Sequence, residues 1–190
     1  MLKLLINSPD AWVDAVMADF DTFLIDHAAA EKKASGMAIS MLSHYPDRKD
    51  LVNAMVDLAI EEMTHFRQVI EFIHKRGLQL GADTKDHYVN SMRKILRKES
   101  DDYFLDRLIV GGVIEARGCE RFGLVADALP TGELKKFYTA ITESEARHEN
   151  LFLSLALKYF PTTVVEPRLQ EILEFEAETL SSLPIKAALH

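Results

Sequence analysis

The sequence predicts an all-α protein built on a four-helix bundle, with a long central crossover and extra helices toward both ends. Three observations lead there. Only 8 glycines and 6 prolines interrupt 190 residues, and 48% of the residues are apolar, so long helices around a sizeable core are favoured. Apolar residues recur at threes and fours through long unbroken stretches. Turn signals at Pro46, Gly77 and Pro130 cut those stretches into helix-length pieces.

Taken in order, Ser8-Pro9-Asp10 opens a short helix, with a hydroxyl at the cap and proline where no amide is needed. Trp12, Val13, Val16 and Met17 share its apolar face. A long helix follows over roughly 20–44 and ends before Tyr45-Pro46-Asp47. A second spans roughly 48–76 and ends at Gly77. The stretch 77–100 is looser, with a short helix near 86–98. A third long helix opens near Ser100-Asp101-Asp102 and ends before Pro130. The fourth starts at Pro130-Thr131-Gly132 and ends at Phe160-Pro161, and a last helix covers about 166–180. No Pro-rich or Ser-rich linker appears, so a single domain over 1–190 is expected. Four long helices paired by short turns around one long connection match the ferritin-like form of the bundle.

Composition narrows the function classes. One cysteine, Cys119, excludes an intrachain disulfide and a four-cysteine zinc or iron–sulfur centre within the chain. The start, MLKLLINSPD, does not read as a signal peptide. No apolar run approaches the roughly 18–20 residues of a membrane span. A soluble, cytoplasmic protein is expected. The net charge of −8 argues against a nucleic-acid partner. Against it stands a local basic segment with Lys85, Arg93, Lys94, Arg97 and Lys98, which read alone is a solvated helix face.

The two helix pairs carry one pattern twice. Glu31 lies on the first long helix and Glu62-x-x-His65 on the second. Glu115 lies on the third and Glu145-x-x-His148 on the fourth. A glutamate and a histidine three apart share one helix face. The histidine can hold one metal while the glutamate bridges to a second, and each remaining helix supplies a terminal carboxylate. Depth agrees: Glu31 and Glu62 both lie about 23 Å from the turn at Pro46, at a rise of roughly 1.5 Å per residue. Glu115 and Glu145 are likewise equidistant from Pro130. All lie within apolar stripes, such as Leu51, Met55, Leu58, Glu62, His65, Val69 on the second helix. Buried carboxylates without compensation are costly, and two divalent metals would neutralise them. A lone Glu-x-x-His carries little weight; two, with two matching glutamates at equal depth, point to a dinuclear site. Mixed nitrogen and oxygen ligation favours iron over manganese, though spacing does not decide between them.

Neighbouring residues are less informative. Glu61 is placed either beside a ligand histidine or in solvent. His27, one turn before Glu31, is placed either lining the site or, the reading favoured, as a satisfied core histidine, and Cys119 reads as a small buried residue. Arg117 and Arg121 read as surface charges. Gly111, Gly112 and Gly118 fit either a close helix–helix approach or space left for substrate.

The segments Asp26-His27-Ala28-Ala29-Ala30-Glu31-Lys32-Lys33-Ala34, Glu61-Glu62-Met63-Thr64-His65-Phe66, Gly111-Gly112-Val113-Ile114-Glu115-Ala116-Arg117 and Glu143-Ser144-Glu145-Ala146-Arg147-His148-Glu149 resemble the bacterial tRNA 2-methylthio-N6-isopentenyladenosine hydroxylases. The likeness runs over nearly the whole chain, and all six ligand positions are filled. It implies a non-haem di-iron monooxygenase with two iron ions and O2 as co-substrate. The implied substrate is the prenyl side chain of the hypermodified adenosine beside the anticodon. Electrons would come from a separate reductase or ferredoxin, since the chain shows no flavin or NAD fingerprint. On that reading Lys85, Arg93, Lys94, Arg97 and Lys98 would contact the anticodon stem phosphates, with the base splayed out. Competing readings are a ferritin- or rubrerythrin-like iron oxidase or peroxidase, a manganese catalase relative, and a metal-free interaction bundle. The sequence does not reveal the oligomeric state.

Overall fold

The computed structural model describes residues 2–190, and among them all regular structure is helical. The helices are α1 (Asp10–Ala18), α2 (Phe20–His44), α3 (Lys49–Lys75), α4 (His87–Met92), α5 (Ser100–Ala128), α6 (Glu133–Tyr159) and α7 (Thr162–Ser182), with a 3-10 turn at Arg93–Ile95 after α4. The four long helices lie where the breaker pattern put them.

The chain forms two compact units. One comprises Asp14–Thr84 and Lys186–Leu189, and its body is the α2–α3 hairpin. The other comprises the N-terminal residues through Val13, Lys85–Ile185 and His190; there α5 pairs with α6, and α7 packs on both and on α4.

In the α2–α3 unit, the Asp19 carboxylate caps α2 by accepting from the Thr22 amide at 3.3 Å. Phe23, Leu24, Met41, Leu51, Met55, Leu58 and Val69 form its buried stripe. The end of α3 is a Schellman motif. Gly77 takes φ +73°, its amide reaches the His74 carbonyl at 2.9 Å, and the Leu78 amide reaches the Ile73 carbonyl at 3.1 Å. Gly77 therefore stops the helix because a left-handed residue is needed there.

In the α5–α6 unit, Phe104, Leu108, Val113, Phe122, Tyr138, Ile141 and Phe152 are buried. Lys135 of α6 caps the end of α5, donating to the carbonyls of Ala126, Asp127 and Leu129. Two expectations need correction here. The helix expected over 86–98 stops early, because the Arg97 amide donates to Asp106 Oδ2 at 2.8 Å instead of continuing a helical ladder. The last helix begins at Thr162 rather than near 166: the amides of Val164 and Val165 both reach the Pro161 carbonyl. Pro167 thus lies inside the helix and not at its first position.

Candidate metal centre

Each unit gathers its own triad of possible metal ligands. On the α2–α3 hairpin, Ser35 Oγ donates to the Ala59 carbonyl at 2.9 Å and ties the two helices about one turn from Glu31. That register brings one ligand atom each from Glu31, Glu62 and His65 within 4.8 Å of one another, all buried. His65 Nδ1 lies 3.7 Å from Glu31 Oε2 and 3.6 Å from Glu62 Oε2. Burial disfavours the His65 charge, but the two carboxylates outweigh it and hold the imidazole up at about 9.

His27, read from the sequence as a core histidine, is fully buried, and its Nε2 meets Glu31 Oε1 at 2.5 Å. Burial alone would raise Glu31. His27 chiefly, with His65 and Glu62, reverses the sign and holds Glu31 well below the usual carboxylate range. With Oε1 engaged by His27, Oε2 is the oxygen turned toward His65. The i, i+4 spacing of His27 and Glu31 was the available signal for this pairing.

On the α5–α6 hairpin, Glu115, Glu145 and His148 also place one ligand atom each within 4.8 Å of one another, and all are buried. His148 Nδ1 lies 3.3 Å from Glu145 Oε2. The close helix approach depends on glycine. A Cβ at Gly111 would lie 2.9 Å from the Phe152 ring, and one at Gly112 would lie 3.2 Å from Phe152 Cβ. These glycines make room for Phe152 and not for substrate. Cys119 Sγ donates to the Thr142 carbonyl at 3.4 Å on the same hairpin. Burial, with Glu149, Glu145, Glu115 and Glu120 adding to it, pushes the Cys119 thiol up to about 11.

Glu149, next to His148, is buried and accepts from the Leu2 amide, so the N-terminal segment packs against α6 beside a candidate ligand. No local pattern announces this contact between residues so far apart in sequence. Glu61 is half-buried and lies outside both triads. Arg117 and Arg121 are not surface charges: they are 0% and 4% exposed, which removes them from the solvated face expected for them. Of the basic segment, Lys85, Arg93, Lys94 and Lys98 are exposed. Arg97 is half-buried and pairs with Asp102 at 3.0 Å and Asp106 at 2.7 Å.

The donor set fits iron. Each triad offers two buried carboxylates and one imidazole, and four carboxylates balance the charge of two divalent ions. Helix pairs presenting a glutamate on one helix and Glu-x-x-His on the other, in an all-α chain, define the class of carboxylate–histidine metalloproteins of ferritin-like fold.

The sequence profile described as tRNA-(MS[2]IO[6]A)-hydroxylase (MiaE) matches residues 2–190, and the chain belongs to that family. A relative from Pseudomonas putida, named tRNA 2-(methylsulfanyl)-N(6)-isopentenyladenosine(37) hydroxylase, is 40% identical over 152 residues, covering 80% of this chain and 74% of that protein. A relative of the same name from Salmonella typhimurium is 34% identical over 157 residues, covering 83% of this chain and 57% of that protein. Among solved structures, a protein with aldehyde deformylating oxygenase activity from Synechococcus superposes with a TM-score of 0.93 at 32% identity, covering 98% of this chain and 93% of that one. The fold is ferritin-like.

Proposed function

We propose that this protein is an O2-dependent tRNA hydroxylase that oxidises the isopentenyl side chain of the hypermodified adenosine beside the anticodon. The carrying observation is the repeated buried triad, Glu31/Glu62/His65 and Glu115/Glu145/His148, in a chain matching a tRNA hydroxylase family over residues 2–190. On this reading 1–190 works as one domain that holds two iron ions, with each triad supplying ligands. Manganese suits the same carboxylates less well, because each triad includes an imidazole.

When bound, two iron ions would supply the reduction of O2 in which one oxygen atom enters a C–H bond and the other leaves as water, with two electrons and two protons consumed. The residues set the conditions for that chemistry. Glu31, Glu62, Glu115 and Glu145 neutralise the ions, and their burial keeps water from the reacting centre. His65 and His148 would each hold one ion, and His27 orients Glu31 through its 2.5 Å contact. Two electrons per turnover come from an external donor, a ferredoxin or a reductase.

The exposed Lys85, Arg93, Lys94 and Lys98 provide positive charge for the anticodon-arm phosphates, while the modified base leaves the loop. A tRNA substrate puts the reaction in the cytoplasm, and among the described residues no helix is long and apolar enough to cross a membrane.

The test is O2 consumption by reduced, iron-loaded protein. Prenylated tRNA should accelerate it and unprenylated tRNA should not. Equal consumption with either, or with none, would instead favour an iron oxidase or peroxidase.

A further inference from the structure

The crossover between α3 and α5 carries the exposed basic residues, and it is pinned twice by buried carboxylates. The first pin is Glu176 on α7, itself 0% exposed. It receives Arg117 of α5 through Nε at 2.9 Å and Nη2 at 3.1 Å, and Tyr88 of α4 through its hydroxyl at 3.0 Å. Burial and the neighbouring carboxylate push the Tyr88 phenol well above its ordinary range, so it remains the donor. Tyr88 also stacks on His190 at 4.9 Å, and His190 Nδ1 lies 3.0 Å from Asp86, the residue that caps α4.

The second pin is Asp106 on α5, also 0% exposed. It accepts from the Arg97 amide at 2.8 Å and from the Arg97 guanidinium at 2.7 Å. It accepts as well from Arg168 of α7, through Nε and Nη2 at 2.8 Å each, while Arg168 Nη2 donates to the Ile95 carbonyl at 2.7 Å. The two pins are the same device with the charges exchanged. At one, α5 gives the arginine and α7 the carboxylate; at the other, α5 gives the carboxylate and α7 the arginine.

Between the pins lie Arg93 and Lys94, both exposed. A buried ion pair is weak evidence for stability, and here the two pins tie the crossover to α5 and α7 in one arrangement. We propose that Tyr88, Glu176, Asp106 and Arg168 are positioning residues for tRNA: they hold the crossover as a preformed basic platform whose phosphate contacts are Arg93 and Lys94. This deepens the proposed tRNA hydroxylase function and rests on it. Arg97 thereby leaves the set of phosphate contacts and becomes part of the second pin. Preorganisation acts on binding by removing the cost of ordering the segment.

The experiment uses iron-loaded full-length protein, its prenylated tRNA substrate, and the variants Tyr88→Phe, Asp106→Asn and Arg93→Glu/Lys94→Glu. Tyr88→Phe keeps the ring and removes one donor, so folding is retained. Each pin variant should raise Kd and KM for tRNA about fivefold to tenfold and leave the rate at saturating tRNA within about twofold. Amide exchange over 86–97 should quicken. The slope of binding against salt should stay at the wild-type value, because the phosphate contacts survive. The charge reversal should instead flatten that slope. Pin variants with wild-type Kd and KM, alongside a charge reversal that weakens binding, would overturn the positioning role alone. A charge reversal that leaves binding unchanged would overturn the platform as a tRNA contact, and the positioning role with it.

Discussion

His148 Nδ1 stands 3.3 Å from Glu145 Oε2. The same three-residue spacing on α3 sets His65 Nδ1 3.6 Å from Glu62 Oε2. A helix turn that presents an imidazole and a carboxylate to the same point, once in each hairpin, suits a metal far better than it suits a core.

Metal binding to the folded chain alone should stabilise it by mass action. Ferrous iron added without oxygen at about 100 times its Kd should raise Tm by about 5–10 °C. Glu145→Gln should abolish most of that rise and lower the iron content read by elemental analysis. A wild-type Tm indifferent to iron would contradict the assignment.

Gly111→Ala tests the close approach of α5 and α6. The new methyl would sit 2.9 Å from the ring of the fully buried Phe152. Overpacking costs about 1–3 kcal/mol, and the better helix propensity of alanine returns about 0.5–1 kcal/mol. A net loss of about 1 kcal/mol in urea unfolding is expected. Pairing the change with Phe152→Leu should recover part of it.

Cys119 gives a pH prediction. Its folded thiol is pushed up to about 11, above the ordinary value of 9.0. Between those values the unfolded chain loses the proton first and so binds fewer protons than the folded one. This contribution to stability is therefore intact below the ordinary value and falls as pH rises through the window. At pH 8, iodoacetamide should label the folded protein slowly and the urea-unfolded protein quickly. Fast labelling of both would show an exposed or activated thiol.

Local signals made most of this molecule legible. The long helices followed from breakers, and Gly77 marked the end of α3 because its backbone must be left-handed. The grouping of the candidate triads followed from helical spacing and depth. Partners distant along the chain were not legible. Arg117 resembles any charged helix residue until Glu176, 59 positions later, is placed against it. The early end of the crossover helix depends on Asp106, and the contact at Glu149 depends on Leu2. The last helix, expected from about 166, starts four residues earlier because the Pro161 carbonyl holds its first turn.

A single-turnover reaction is the most direct test of the central claim. Chemically reduced, iron-loaded protein is mixed with O2 and prenylated tRNA, and the digested nucleosides are weighed by mass spectrometry. The account predicts that the prenylated adenosine gains one oxygen atom on its side chain, and that Glu62→Ala and Glu145→Ala proteins give none. Unaltered nucleoside from protein whose iron is present and oxidises would contradict it.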